Sequence, residues 1–275
     1  MELIITTVIT LGGLGVLFGA VLAVGARVFH VQIDPRLEKI LDLMPQLNCG
    51  ACGYGGCLDC ARAMLDGKAE PTACPICDHE AREKIAELLG RLLKEEEQTV
   101  ARIFCRGGYD AARRYLYDGV QTCQAANQIE GGVSACDYGC LRYYTCKAIC
   151  PFGAIEIDSR GNPVVNPDKC RSCGLCVQNC PRNIIHLVPA ASAVDVLCSS
   201  RAKGKAVVKV CGTGCIGCGK CVKECPVGAI TMEDNLARID YEKCTACGRC
   251  VEVCPRNIIE RVSGRTEAAA LVAQP

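Results

Sequence analysis

Leu3 to Ala26 carries no charged residue. At 1.5 Å per residue, about 24 residues of helix reach roughly 36 Å, enough to cross a bilayer with some tilt. Gly15-x-x-x-Gly19 offers one face for close packing against another membrane helix, although glycines are frequent in such helices anyway. A cleaved signal peptide is the competing reading. Val24-Gly25-Ala26 is a passable cleavage site, but Met1-Glu2-Leu3 lacks the positive start such peptides carry. Arg27, His30, Arg36 and Lys39 follow the apolar run instead, and the positive-inside rule then places everything after it in the cytoplasm. The pattern predicts a single-pass anchor over residues 1–29 of a cell-membrane protein.

Further along, His79 to Gln98 repeats apolar residues at helical spacing, with Ile85, Leu88, Leu89 and Leu92 on one stripe. This predicts an amphipathic helix whose tail, Lys94-Glu95-Glu96-Glu97, is a solvated linker. Two later stretches alternate as strands do. Ala154-Ile155-Glu156-Ile157 and Ala229-Ile230-Thr231-Met232 are each followed by a turn, Ser159-Arg160-Gly161-Asn162 and Glu233-Asp234-Asn235, and by a second β-prone stretch. Both predict hairpins. They belong to an internal repeat. Cys150-Pro151-Phe152-Gly153-Ala154-Ile155 matches Cys225-Pro226-Val227-Gly228-Ala229-Ile230, and Cys180-Pro181-Arg182-Asn183 matches Cys254-Pro255-Arg256-Asn257. The fold class is therefore α+β: a transmembrane helix over 1–29, a small unit over 30–98, repeats over 99–190 (the first with an N-terminal extension) and 191–263, and a tail over 264–275.

Composition changes the picture through cysteine. The 275 residues include 26 Cys, no Trp and few aromatics, so a conventional apolar core is thin. Bound metal must supply much of the folding free energy. Cys215, Cys218, Cys221 and Cys225-Pro226 read C-x-x-C-x-x-C-x-x-x-C-P, and Cys244, Cys247, Cys250 and Cys254-Pro255 repeat that spacing. Three such cysteines hold three corners of a [4Fe-4S] cluster, and the fourth reaches across to the neighbouring one. One ligand set is then Cys215, Cys218, Cys221 and Cys254, and the other is Cys244, Cys247, Cys250 and Cys225. Zinc also uses C-x-x-C pairs, but it does not call for this four-cysteine spacing twice over. The same crossover in the first repeat gives Cys170, Cys173, Cys176 and Cys150, and, across longer gaps, Cys136, Cys140, Cys146 and Cys180. The insertion Leu141 to Thr145 either shields that cluster or meets a partner.

In the unit over 30–98, Cys49, Cys52 and Cys57, with Cys74-Pro75 further on, suit a single cluster, and Cys60 and Cys77 are left as buried thiols. Cys105, Cys123, Cys198 and Cys211 remain. They hold a sixth cluster if the repeats pack together, or are four structural thiols. Five clusters are expected, six with that set. Reduced thiolates again point to the cytoplasm.

Other chemistry is missing. The net charge is +1, with no basic run to suggest nucleic acid. His30, His79 and His186 share no ligand spacing. There is no Ser/His/Asp arrangement and no P-loop. Gly212-x-Gly214-x-x-Gly217 lies inside a cysteine run and opens no strand–helix unit, so it is not a nucleotide site. The residues point to electron transfer through clusters in series.

Each repeat resembles the two-cluster bacterial ferredoxin fold. The order of parts resembles a further family over nearly the whole chain. The membrane helix, Asn48-Cys49-Gly50-Ala51-Cys52-Gly53-Tyr54-Gly55-Gly56-Cys57, Gly131-Gly132, Cys136-Asp137-Tyr138-Gly139-Cys140 and the two repeats are similar to the B component of the Rnf complex, its membrane-anchored polyferredoxin, in the longer form of anaerobes. That resemblance implies a subunit of a membrane translocase that couples electron flow between ferredoxin and NAD to Na⁺ or H⁺ transport. Its partners would be the other subunits and soluble ferredoxin, with nicotinamide and flavin bound elsewhere. The chain itself would carry electrons only and have no catalytic residue. A polyferredoxin subunit of a membrane hydrogenase or formate dehydrogenase, and a non-redox cluster scaffold or sensor, are the alternatives.

Overall fold

α1, Glu2–Val28, stands by itself. None of its apolar span Ile4–Val28 is buried, and that span is long and apolar enough to cross a membrane. Two of its threonines are satisfied within the helix: Thr6 Oγ1 donates to Glu2 O at 2.7 Å and Thr10 Oγ1 to Thr6 O at 2.9 Å. A helix in lipid needs that self-sufficiency. The computed structural model describes residues 1–28, 34–93 and 98–262. His30, the Lys94–Glu97 linker and the Thr266–Pro275 tail lie outside the described residues.

The first cysteine unit is three short helices around one core. α2, Pro35–Leu43, starts with proline at its first position, and Asp34 Oδ1 accepts from Arg36 N–H at 2.8 Å. α3, Cys57–Leu65, carries Cys57 and Cys60. α4, His79–Leu89, is capped by Asp78, whose Oδ1 accepts from Ala81 N–H at 2.8 Å. Leu37, Ile40, Met64 and Ile85 fill the core between them. The helix expected to run from His79 to Gln98 stops earlier. Gly90 takes a left-handed conformation, φ 63°, and ends α4 one residue after Leu89. Leu92 falls outside the stripe and is 95 % exposed.

The two repeats share one plan. In the first, β1 (Thr99–Ile103), α5 (Cys123–Gln128), α6 (Thr145–Ala148), β2 (Ile155–Ile157), β3 (Pro163–Val165), α7 (Leu175–Gln178) and β4 (Ile185–Pro189) follow in order. β2 and β3 form the expected hairpin, and β1 pairs antiparallel with β4, Thr99 opposite Pro189. In the second, β5 (Val194–Val196), α8 (Gly204–Val210), α9 (Lys220–Glu224), β6 (Ile230–Glu233), β7 (Leu236–Ile239), α10 (Arg249–Glu252) and β8 (Ile259–Arg261) follow. β6 pairs with β7, and β5 with β8. The β6–β7 turn is Asp234-Asn235, with both φ positive (45° and 63°), as a two-residue hairpin requires. Each repeat has its own apolar core, built on Val100, Ile155 and Ile185 in one and on Val194, Ile230 and Ile259 in the other.

A buried ion pair ties the repeats together. Arg102 Nε on β1 lies 2.7 Å from Asp195 Oδ2 on β5, and Tyr241 Oη donates to Asp195 Oδ1 at 2.5 Å. Around it, Ser199 Oγ donates to Phe104 O at 2.9 Å and Arg106 Nε lies 3.2 Å from Glu260 Oε2.

Candidate metal centres

The cysteine loops turn on glycines. Gly174, Gly219 and Gly248 each sit between the second and third cysteine of a regular motif, with φ of 73°, 70° and 82°, and start α7, α9 and α10. That left-handed step, which glycine takes without a Cβ penalty, folds the loop back so that its cysteines face one space.

Such spaces occur in both repeats. Cys215, Cys218, Cys221 and Cys254 line one. Cys150, Cys170, Cys173 and Cys176 line another. Cys123, Cys140, Cys146 and Cys180 line a third, together with Leu141 and Tyr144 from the insertion. Cys105, Cys136, Cys198 and Cys211 line the fourth, at the joint between the repeats.

The last two sets differ from the sequence expectation by one exchange: Cys136 and Cys123 trade places. The cause is local hydrogen bonding. Cys123 opens α5, its N–H donates to Thr145 Oγ1 at 2.8 Å, and this docks it at the start of α6 beside Cys146. The strand-like segment ahead of Cys136 instead pairs towards the joint, with Ser134 bridged to Arg113 and Ala135 N–H donating to Ala112 O at 2.8 Å.

Of the remaining expected set, Cys244, Cys247 and Cys250 lie close together, and Cys225 ends α9, which packs on α10. Its sulfur accepts from Ala229 N–H at 3.3 Å. In the first unit, Cys57, Cys60, Cys74 and Cys77 are buried. Cys60 lies against Cys52, and Cys77 against Cys74, so the two spare thiols sit within the candidate ligand group. Burial, then the neighbouring Cys52, pushes the Cys60 thiol up; the hydrogen bond from Cys77 draws Cys74 down.

The environment suits thiolates held by a polynuclear centre. Burial pushes the free thiols of Cys146, Cys176 and Cys198 up to about 12, so thiolate in these spaces needs bound cationic metal beside it. Backbone N–H groups point at sulfur: Ala101 to Cys170 at 3.5 Å, Cys140 to Cys105 at 3.4 Å, Cys215 to Cys198 at 3.4 Å. Such bonds accompany cluster ligation. Among the described residues, no three His, Cys, Asp or Glu side chains converge closely enough for a single ion. All-thiolate sets of four suit [4Fe-4S] clusters, which take soft thiolate ligands.

Cys173 of the first repeat lies within electrostatic reach of the first unit. Its thiol is pushed up by burial foremost, and Cys49 is among the nearby groups that add to the shift. Cys218 and Cys247 are the exposed cysteines among the described residues, both in the second repeat. A larger cavity of about 490 Å³ lies between the repeats, where Arg182, His186, Arg201 and Arg238 surround Phe104 and Tyr241.

Three family models match: "4Fe-4S dicluster domain" over residues 214–258, "Putative Fe-S cluster" over 44–76 and "4Fe-4S binding domain" over 163–186. The chain is 44 % identical to the B component of the Na⁺-translocating ferredoxin:NAD⁺ oxidoreductase complex of Acetobacterium woodii, over 88 % of this chain and 73 % of that protein. It is 41 % identical to the B component of the ion-translocating oxidoreductase complex of Methanosarcina acetivorans, over 88 % of this chain and 92 % of that one. It is 38 % identical to the B component of the proton-translocating ferredoxin:NAD⁺ oxidoreductase complex of Clostridium ljungdahlii, over 87 % and 85 %. The chain is thus an electron-transfer subunit that binds [4Fe-4S] clusters in a multi-subunit complex, and it belongs to the family of B components of the Rnf-type ion-translocating oxidoreductases.

Proposed function

We propose that this chain takes electrons from soluble ferredoxin at the outer edge of its second repeat and delivers them towards the membrane, from the cytoplasmic face. The observation that carries this reading is the exposure of Cys218 and Cys247, with every other cysteine at least partly covered. A donor protein comes closest to a ligand sulfur there. Cys49 of the unit that follows the membrane helix is near enough to act on the Cys173 thiol of the first repeat, which supports an exit on that side. Each [4Fe-4S] cluster, when bound, supplies reversible one-electron transfer.

The chain's residues hold and shield these groups. The ligand sets are Cys49, Cys52, Cys57 and Cys74; Cys123, Cys140, Cys146 and Cys180; Cys150, Cys170, Cys173 and Cys176; Cys215, Cys218, Cys221 and Cys254; and Cys225, Cys244, Cys247 and Cys250. Three separate apolar cores support a division into units over 30–98, 99–190 and 191–263. α1 anchors them, with Arg27 at its cytoplasmic end. The coupling ion, sodium or proton, crosses elsewhere, because Leu3 to Ala26 offers no charged side chain for a path.

The test is rapid mixing of reduced ferredoxin with the purified complex. Lys220 and Arg249 are exposed beside Cys218 and Cys247. Lys220→Glu with Arg249→Glu should slow cluster reduction by about tenfold at low salt, with little effect at high salt, because charge steers association. Exchanging Lys84→Glu on α4, in the first unit, should leave the rate unchanged. Equal rates for both variants would place the docking surface elsewhere.

A further inference from the structure

We infer that Cys105, Cys136, Cys198 and Cys211 form a sixth metal site, an all-thiolate [4Fe-4S] site built at the joint from both repeats. It rests on the cluster-carrying function proposed above and lies outside every region that the family models match.

The four sulfurs surround one cavity. Gly107 borders two of them: a methyl group there would press on Ala111 Cβ at 3.0 Å and touch Cys211 Sγ at 3.5 Å and Cys105 Sγ at 3.8 Å. The Ser200 side chain, two residues after Cys198, is among the groups near enough to act on the Cys136 thiol. Ser200 N–H donates to Cys198 Sγ at 3.4 Å. The strand bridge between Ala111 and Cys211 brings the second repeat's loop to the first. Each thiol thus sits in a loop fixed by contacts with another loop of the set, and no local motif is needed.

Neighbouring sites reach into this one. Cys140 N–H donates to Cys105 Sγ, and Cys215 N–H donates to Cys198 Sγ, both at 3.4 Å. Cys140 lines the nearest cavity of the first repeat and Cys215 that of the second. The joint site is therefore one backbone hydrogen bond from a ligand residue on each side. The arginines of the two Cys-Pro-Arg-Asn motifs brace it symmetrically. Arg182 Nη1 donates to Asp137 O at 2.6 Å, next to Cys136, and Arg256 Nη2 donates to Cys211 O at 2.8 Å. These are positioning residues for the joint loops.

The experiment is cluster counting by native mass spectrometry, with iron and sulfide analysis, on the anaerobically purified full chain. The unaltered chain should carry six clusters, and five would overturn the inference whatever the variants do. Cys136→Ala and Cys211→Ala should each remove one cluster, about four iron atoms. The double variant should remove no more, because both thiols serve one site. Cys123→Ala with Cys136→Ala should remove two. If Cys123→Ala and Cys211→Ala instead behave as one site, Cys136 belongs to the first repeat and the inference fails. Cys254→Ala serves as the control for the underlying reading. A five-cluster chain that loses another cluster in Cys254→Ala would keep that reading while rejecting the joint site, whereas a chain without clusters would reject both.

Discussion

Asn48 takes a left-handed conformation, φ 47°, and from there its Oδ1 accepts from Cys57 N–H at 2.9 Å. One side chain thus both turns the loop and caps the helix that carries a ligand. Gly56 is part of the arrangement, since a methyl group there would stand 2.9 Å from the same oxygen. Asn48→Ala removes the cap and leaves a strained turn, which should cost about 1–2 kcal/mol in the first unit. Asn48→Asp keeps the acceptor and should cost less than half of that. Thermal unfolding of the cluster-loaded chain, followed by the loss of its visible absorption, measures both; equal losses would show that the cap carries none of the stability. At this scale the regular motifs were legible, because cysteine spacing and glycine placement are local. The exchange of Cys123 and Cys136 was not. The only trace of it in the sequence is the long gaps around Cys140, since Thr145 and the Ala112–Ala135 contact decide it through the fold.

Elements split along the same line. The hairpins β2–β3 and β6–β7 could be read from turn residues between short alternating stretches. β1 and β5 could not, because their partners β4 and β8 lie far along the chain and short strands carry little pattern. α4 shows the opposite error: periodicity continued past Gly90, but a left-handed glycine ends a helix more decisively than a stripe extends it. Gly90→Ala, which forces a side chain into that conformation, should destabilise the first unit by about 1 kcal/mol in denaturant unfolding. The long helix α1 packs on none of the described residues. A chain starting at Pro35 should therefore fractionate as soluble protein and keep its full iron content. Loss of iron on this truncation would mean that the anchor supports the cluster units directly.

The molecule as a whole depends on how the repeats hold each other, and the Arg102–Asp195–Tyr241 group is the buried part of that contact. Asp195 has no exposed surface. Burial lowers the Arg102 pKa, and the Asp195 charge works against that shift; burial, then the Asp195 charge, raises Tyr241. Each group is tolerable there only because of the others. Asp195→Asn leaves the guanidinium buried without its counter-charge and should cost about 3–5 kcal/mol. Replacing both partners with apolar residues of similar size, Arg102→Met with Asp195→Leu, should recover most of that loss, because no charge is then stranded. Their consequences for metal differ from those of the local variants. β1 leads straight to Cys105, and β5 to Cys198, so, on the proposal of a sixth cluster at the joint, loosening this pair should release that cluster to a chelator before any other. In Asp195→Asn, the count should therefore fall from six to five while the regular motifs stay loaded. Simultaneous loss of all clusters would mean that the ion pair supports the folding of each repeat and does not act mainly at their junction.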